Sequence, residues 1–204
     1  MNKQNLNDVI HQLNDSFNEL TVEELIGLLT NYSVKKFDPT DCECIQLKKN
    51  ILDVANDFIS EIQAKGGQEF DSEPESNLRT QVSAWFQREI EERIRIRTNL
   101  EIKSLGWAGY PRFEIKSGYL QIKVMRSTTG NTPRSLYISQ KGLKVSKTGY
   151  HLGLLFIYDL ESNEDIPYVY PTKVKLIDLS QIKLTTKIEF SAPSSRLKKA
   201  EIVT

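Results

Sequence analysis

The chain has 204 residues, of which 39% are hydrophobic, and its 27 basic and 27 acidic residues give no net charge. This length allows one full domain with a well-packed core, with or without a small helical addition. The apolar segments are short, so we expect neither a membrane span nor a signal peptide. Two cysteines, Cys42 and Cys44, are too few for a disulfide framework, and we expect reduced thiols in a cytoplasmic protein.

The first third of the chain has the pattern of helices. The sequence Thr21-Val22-Glu23-Glu24 is a capping box that opens an apolar helical run. A second capping box, Thr40-Asp41-Cys42-Glu43, begins a longer amphipathic helix that ends at Gly66-Gly67. We therefore expect an N-terminal helical subdomain over residues 1–68, followed by a polar, acidic linker over residues 66–76.

A third helix is predicted over residues 77–97. Its apolar residues fall on one broad face; they are Leu78, Val82, Trp85, Phe86, Ile90 and Ile96. Glu89 projects into this face, whereas Glu91 and Glu92 point away from it. A carboxylate in an apolar stripe is costly unless it is paired or binds a metal. Glu89 is therefore either a partner of Arg93 at the margin of the stripe or a metal ligand.

After residue 100 the hydrophobic period changes to two, which predicts β-strands. Residues 113–115 and 120–124 alternate and join at a tight turn, which we place at Ser117-Gly118. Further strands are predicted at Leu136–Ser139, Leu152–Tyr158, Val174–Leu179 and Ile182–Phe190. The run from Leu152 is apolar on both faces, which is typical of a central strand. Helices followed by strands indicate an α+β fold, with a mixed central sheet flanked by helices in a core over residues 77–204.

The predicted turn decides which side chains of the hairpin share a face, because directly opposed residues lie on the same side. It sets Glu114 opposite Gln121. The apolar set then lies against the core: Phe113, Ile115, Leu120 and Ile122. The other face carries one carboxylate, one amide and two cations: Arg112, Glu114, Gln121 and Lys123.

The zero net charge conceals a strong separation along the chain. Residues 1–75 carry 15 acidic and 6 basic groups, whereas residues 112–151 carry 8 basic groups and one acid. Concentrated positive charge attracts phosphate-bearing ligands, so the hairpin region over residues 110–151 predicts a polyanion partner, above all DNA. A solvated lysine-rich face would have the same composition. The candidate DNA-binding residues are Arg112, Arg126, Asn131, Arg134, Lys141, Lys144 and Lys147.

The sequence Tyr110-Pro111-Arg112-Phe113-Glu114-Ile115, followed by Gln121-Ile122-Lys123, resembles the core of the PD-(D/E)xK nucleases, in particular the type II restriction endonucleases. The helix that carries Glu89 resembles the first core helix of that family, and the strand from Leu152 resembles a later core strand. The resemblance covers residues 77–180 and implies a nuclease-like core.

The resemblance also implies Mg²⁺-dependent hydrolysis of double-stranded DNA, with oxygen ligands around the ion. Lys123 matches the motif lysine, and Gln121 stands where the second acid is usual. Arg112 stands where an aspartate is expected, which leaves Glu114 as the substitute carboxylate. The implied catalytic set is Glu114, Gln121, Lys123 and Glu89, of which Glu114, Gln121 and Glu89 are the expected metal ligands.

Three functions fit these patterns. The favoured one is a type II restriction endonuclease of a restriction–modification system, acting as a homodimer because symmetric DNA sites call for two-fold proteins. The second is a catalytically inactive DNA-binding protein of nuclease fold, because Arg112 and Gln121 replace the usual acids. The third is an interaction protein whose basic face meets an acidic protein. His151, at a strand start, is interpreted as structural, with a general base as the alternative.

Overall fold

The computed structural model describes residues 20–71, 75–106, 109–127, 142–164 and 166–184. Residues 22–182 form one compact unit, and residues 1–21 and 183–204 form a second. In the described part of the second unit, Thr21 and Lys183 form an antiparallel bridge, and the N–H of Leu184 donates to the carbonyl of Leu20 at 2.8 Å. No helix within the described residues is long and apolar enough to cross a membrane.

Three helices lie in the described part of the chain: α1 Val22–Leu29, α2 Cys42–Ala64 and α3 Glu75–Arg97. The N-cap of α2 is Asp41, whose carboxylate accepts a hydrogen bond from the N–H of Cys44 at 3.1 Å. The predicted capping box began at Thr40, which is wrong, because Thr40 hydrogen-bonds to Asp38 instead. The helix ends as predicted before the glycines at 66 and 67, which both have positive φ.

The buried stripe of α3 follows every fourth residue at Val82, Phe86, Ile90 and Ile94. Each step of four residues turns the stripe by about 40°, so towards the end of the helix it has moved away from Ile96. The prediction that Ile96 lies on the apolar face is therefore wrong: it is 71% exposed, and Ile94 is fully buried. Glu89 is at the margin of the stripe and partly exposed.

Seven strands form one mixed sheet in the described residues: β1 Val34–Lys35, β2 Gln68–Glu69, β3 Lys103–Ser104, β4 Phe113–Ile115, β5 Gly118–Arg126, β6 Gly149–Asn163 and β7 Ile166–Asp178. Their order is β2-β7-β6-β5-β4-β3, with β1 beside β6. β3, β4 and β5 are antiparallel neighbours, β6 is parallel to β5, and β7 is antiparallel to β6. The predicted strand at residues 152–158 lies in β6, inside the sheet. The predicted strand at residues 136–139 lies outside the described residues, as do residues 185–190 of the predicted last strand.

The two faces of the sheet have different partners. On the helix face, the ring of Phe156 on β6 lies 5.9 Å from that of Phe58 on α2 and 5.0 Å from that of Phe86 on α3, between centroids. We call the opposite side, which is turned away from α2 and α3, the outer face. The strand register assigns the following side chains to the outer face: Glu114, Tyr119, Gln121, Lys123, His151, Leu155, Lys173 and Lys175.

The architecture confirms an α+β fold with a mixed sheet and helices. Because α2 has no core of its own, its apolar residues join those of α3 and the sheet in one hydrophobic cluster. The compact unit over residues 22–182 includes both the helices and the sheet, and the division into residues 1–68 and 77–204 stays a prediction. The predicted linker contains β2, which pairs with β7.

Candidate active site

The β4–β5 hairpin carries the candidate site. The two strands turn at Lys116-Ser117, and Glu114 is paired with Tyr119. The prediction placed the turn at Ser117-Gly118 and paired Glu114 with Gln121, and both are wrong. The pairing has shifted by two residues, and because side chains alternate, each residue keeps its predicted face. Glu114 and Gln121 therefore do share the outer face, and the apolar residues of the hairpin are buried on the helix face.

Gly118 is required by a tertiary contact rather than by the turn. A Cβ atom at Gly118 would lie 2.2 Å from the carbonyl oxygen of Tyr150 on β6, and one at Gly149 would lie 2.6 Å from the Cα of Gly118. The backbones of β5 and β6 pass each other too closely here for any side chain. This pair of glycines fixes where the parallel pairing of the two strands begins.

Arg112 and Gln121 lie side by side at the end of the hairpin away from the turn. The backbone N–H of Arg112 donates to Oε1 of Gln121 at 3.0 Å. The Arg112 side chain is only 6% exposed, and its guanidinium carbon lies 5.4 Å from the centre of the Phe113 ring. Burial lowers the pKa of Arg112, and the charge of Glu91 opposes this shift. An arginine nevertheless stays charged, so a buried cation occupies the place where the resemblance expects an aspartate.

The two basic residues of β5 are on opposite faces of the sheet. Lys123 follows Gln121 by two residues, so both lie on the outer face, and Lys123 is paired with Leu155 of β6. Arg126 ends the strand on the helix face, paired with Tyr158. Both side chains are partly buried. Lys123 is thus the cation that shares a face with Gln121, whereas Arg126 is not.

Glu114 forms an ion pair with Lys147. The carboxylate lies 3.0 Å from Nζ of Lys147, which also donates to the carbonyls of Ile115 at 2.7 Å and Lys116 at 3.2 Å. Both charged side chains are about one-quarter to one-third exposed, at 25% for Glu114 and 32% for Lys147. The predicted catalytic carboxylate and a predicted DNA-binding lysine therefore neutralise each other beside the turn.

Glu89 is held among arginines on α3. Its carboxylate lies 3.8 Å from Arg93 and 3.9 Å from Arg88. Arg93 also donates to Glu61 of α2 at 2.7 Å, and this contact holds the pKa of Glu61 at about 2. These side chains line an open groove along α2 and α3. Because the helices cover the helix face, the sheet separates Glu89 from the outer face that carries Gln121.

The three predicted metal ligands do not fit one ion. Gln121 and Glu114 share the outer face, but Glu114 is paired with Lys147, and Glu89 lies on the other side of the sheet. Within the described residues, no group of three histidine, cysteine, aspartate or glutamate side chains is placed to hold a metal.

Glu91 is a residue that the helical pattern missed. Its side chain is 19% exposed, against 32% for Glu89, and it lies 2.7 Å from Arg95. The charge of Glu91 opposes the lowering of the Arg112 pKa by burial. The sequence signal that could have found it is Arg112 itself, since a buried cation calls for a nearby carboxylate.

Two lysines of the segment over residues 142–148 donate hydrogen bonds to backbone carbonyls of other segments. Nζ of Lys144 donates to the carbonyl of Leu105 and, at 3.5 Å, to that of Gly106. Lys147 holds the hairpin in the same way. The ammonium groups of Lys144 and Lys147 are therefore engaged in contacts within the protein. The predicted DNA-binding residues Asn131, Arg134 and Lys141 lie outside the described residues.

His151 lies in a buried aromatic cluster on the outer face. Its Nδ1 is 2.9 Å from the hydroxyl of Tyr110, and its ring centre is 4.8 Å from that of Tyr119. The Tyr119 hydroxyl accepts hydrogen bonds from the N–H groups of Ser146 at 2.7 Å and Lys147 at 2.9 Å. Burial lowers the pKa of His151 to about 4, so the ring is neutral at ordinary pH. These contacts agree with the structural interpretation of this histidine.

Comparison with known proteins identifies the family. A model described as "Type II restriction enzyme MjaV family" matches residues 15–201. The chain belongs to the type II restriction enzyme MjaV family. No curated protein and no solved structure gave a significant match.

The MjaV family match extends well beyond the predicted resemblance over residues 77–180. It starts before α1 and ends after β7, so the N-terminal helices belong to the matched region together with the sheet. Membership of a restriction enzyme family implies binding to DNA, which is the partner that the charge pattern predicted.

Proposed function

We propose that this chain is a type II restriction-type endonuclease that hydrolyses phosphodiester bonds of double-stranded DNA on the outer face of the β4–β5 hairpin. The family match supports a restriction endonuclease. The observation that carries the location is the hydrogen bond from the Arg112 N–H to Gln121, because it puts Pro111-Arg112 beside Gln121-Ile122-Lys123. The PD-(D/E)xK resemblance requires these two halves of the motif to meet.

The order of elements around the hairpin supports the same proposal. α3 precedes three antiparallel strands, β3 to β5, and β6, which follows them within the described residues, lies parallel to β5. The resemblance assigned α3 to the first core helix and β6 to a later core strand.

The side chains present suggest a division of roles. The Lys123 ammonium stabilises negative charge that develops on the phosphate, and it orients the attacking water. The Gln121 amide is held in one orientation by the Arg112 N–H, since its oxygen is the acceptor of that bond. Arg112 supplies a fixed positive charge that is largely removed from solvent. A dependence on Mg²⁺ is implied by the resemblance alone.

We also propose a homodimer that acts in the cytoplasm. Type II sites are commonly symmetric, and a two-fold protein presents the same hairpin to each half-site.

The second candidate function is DNA binding without cleavage. Two observations favour this function. Arg112, a buried arginine, stands in the place of the first acid, and the carboxylate of Glu114 forms an ion pair with Lys147. Such a protein would keep the basic surface and the fold while lacking hydrolysis.

One assay separates the two functions. The purified protein is incubated with mixed-sequence plasmid DNA, with Mg²⁺ in one arm and with a chelator in the other. Discrete fragments in the Mg²⁺ arm alone support the endonuclease. Salt-sensitive binding of the same DNA without fragments in either arm supports the inactive DNA-binding protein.

A further inference from the structure

Two lysines of β7 lie on the outer face in line with the candidate site. In the cross-strand register, Lys123 of β5 is beside Leu155 of β6, which is beside Lys175 of β7. The next row of the same three strands ends at Lys173. Neighbouring strands are about 4.8 Å apart, so the backbones that carry Lys123 and Lys175 are separated by roughly 10 Å. These positions lie outside the basic region that the charge count singled out.

The orientation of both lysines depends on a bulge in β7. The pairing shifts by one residue between Ile157 and Tyr158 of β6, which leaves Thr172 as the extra residue of β7. The Thr172 hydroxyl donates to the carbonyl of Ile157 at 3.2 Å. After the bulge, Val174 packs against the core on the helix face, and the lysines on either side of it point outwards.

Lys173 and Lys175 differ from the lysines of the basic region in their surroundings. Both are exposed, and no ion pair or hydrogen bond engages either ammonium group in the described part of the chain. Lys144 and Lys147, by contrast, bind backbone carbonyls, and Lys147 also pairs with Glu114. Solvated ammonium groups are the ones that can exchange counterions for phosphates.

The charges around the two lysines favour an anion. The three consecutive rows that begin at Gln121, Lys123 and Met125 contain three lysines and no acidic residue. At one end of these rows Glu114 is neutralised by Lys147, and at the other end Asp159 accepts a hydrogen bond from the Ser127 hydroxyl. The three lysines therefore lie in rows without an acidic residue, next to the row that contains Gln121 of the candidate site.

We infer that Lys173 and Lys175 bind the phosphate backbone of the DNA whose scissile phosphate lies at Lys123. The inference rests on the proposed function and adds to it the surface along which the duplex lies. The contacts are to phosphates rather than to base edges, because lysine acts as a point charge without a planar fork. They position the duplex on the outer face and do not depend on its sequence.

The test is a salt titration of DNA binding by the full chain, with a labelled mixed-sequence duplex and a chelator to prevent cleavage. Each phosphate contact contributes about 0.9 to the slope of log affinity against log salt, so K173E/K175E should lower that slope by roughly 2. K173R/K175R should retain the wild-type slope, since it keeps both charges. Circular dichroism and thermal unfolding establish that all variants are folded.

K48E/K49E is the matched control, because it changes the net charge equally at two exposed lysines of α2, on the helix side of the sheet. An unchanged slope in that variant together with the loss in K173E/K175E supports the inference. Equal losses in both variants, or none in K173E/K175E, would overturn it while leaving the endonuclease proposal intact. A wild-type protein that does not bind the duplex even at low salt would overturn both.

Discussion

The backbone N–H of Arg112 donates a hydrogen bond to the side-chain oxygen of Gln121 at 3.0 Å. This bond joins the start of β4 to the middle of β5, and Lys123 follows Gln121 by two residues on the same face. The bond therefore fixes both the hairpin end and the orientation of an amide inside the candidate site.

Gln121→Ala should lower the free energy of unfolding by about 1 kcal/mol, because the partly buried Arg112 N–H loses its acceptor. Gln121→Glu keeps an acceptor and should cost less. Denaturant unfolding measures both changes, and Gln46→Ala, at an exposed glutamine of α2, serves as the control. Equal stability of Gln121→Ala and the wild type would mean that the bond contributes nothing to the hairpin.

The ion pair between Glu114 and Lys147 gives the second prediction. Glu114→Gln should destabilise the protein by up to about 1 kcal/mol, as expected of a partly exposed pair. DNA cleavage should change little, because the carboxylate is engaged by Lys147 at 3.0 Å. Single-turnover cleavage and unfolding are measured on the same preparation. Lost cleavage at unchanged stability would instead identify Glu114 as a catalytic carboxylate.

The buried His151 gives a pH dependence. Its pKa is lowered to about 4 in the folded protein from an ordinary value of 6.5, so between these values the unfolded chain binds the extra proton. Stability that is fully present above pH 6.5 should therefore fall as the pH drops towards 4, by up to about 3 kcal/mol. The measurement is the free energy of unfolding against pH.

His151→Gln is the variant for comparison, because glutamine does not titrate. Its stability should be lower at neutral pH, since the hydrogen bond to Tyr110 is disturbed. The decrease in its free energy of unfolding on acidification should be smaller than that of the wild type. Parallel pH curves for the two proteins would contradict the assignment of a neutral, buried imidazole.

The sequence predicted the faces of the hairpin better than its register. Alternation placed Phe113 and Ile122 in the core and Gln121 on the opposite side, and a shift of two residues leaves that assignment unchanged. The turn was misplaced because Gly118 has the composition of a turn residue. Its actual role, the close passage of the Tyr150 backbone, depends on a strand more than thirty positions away.

The helical pattern and the charge count did not predict interactions between side chains that are distant in sequence. Glu89 was singled out by its angle on α3, but the buried stripe drifts, and Glu91 is the carboxylate that acts on Arg112. The charge count could not distinguish Lys147, which is tied to Glu114, from Lys175, which is exposed. The sequence gives the charge of a side chain, but only the fold determines which group that charge is paired with.

We propose that hydrolysis takes place beside Lys123. The most direct measurement is single-turnover cleavage of plasmid DNA by the wild type, by Lys123→Ala and by Lys116→Ala, which removes an exposed lysine at the turn of the same hairpin. Lys123→Ala should cleave roughly 10² to 10³-fold more slowly with DNA binding largely retained, because its charge acts in the transition state. Lys116→Ala should match the wild type. Cleavage by Lys123→Ala at the wild-type rate would contradict this location and place the active site elsewhere in the chain.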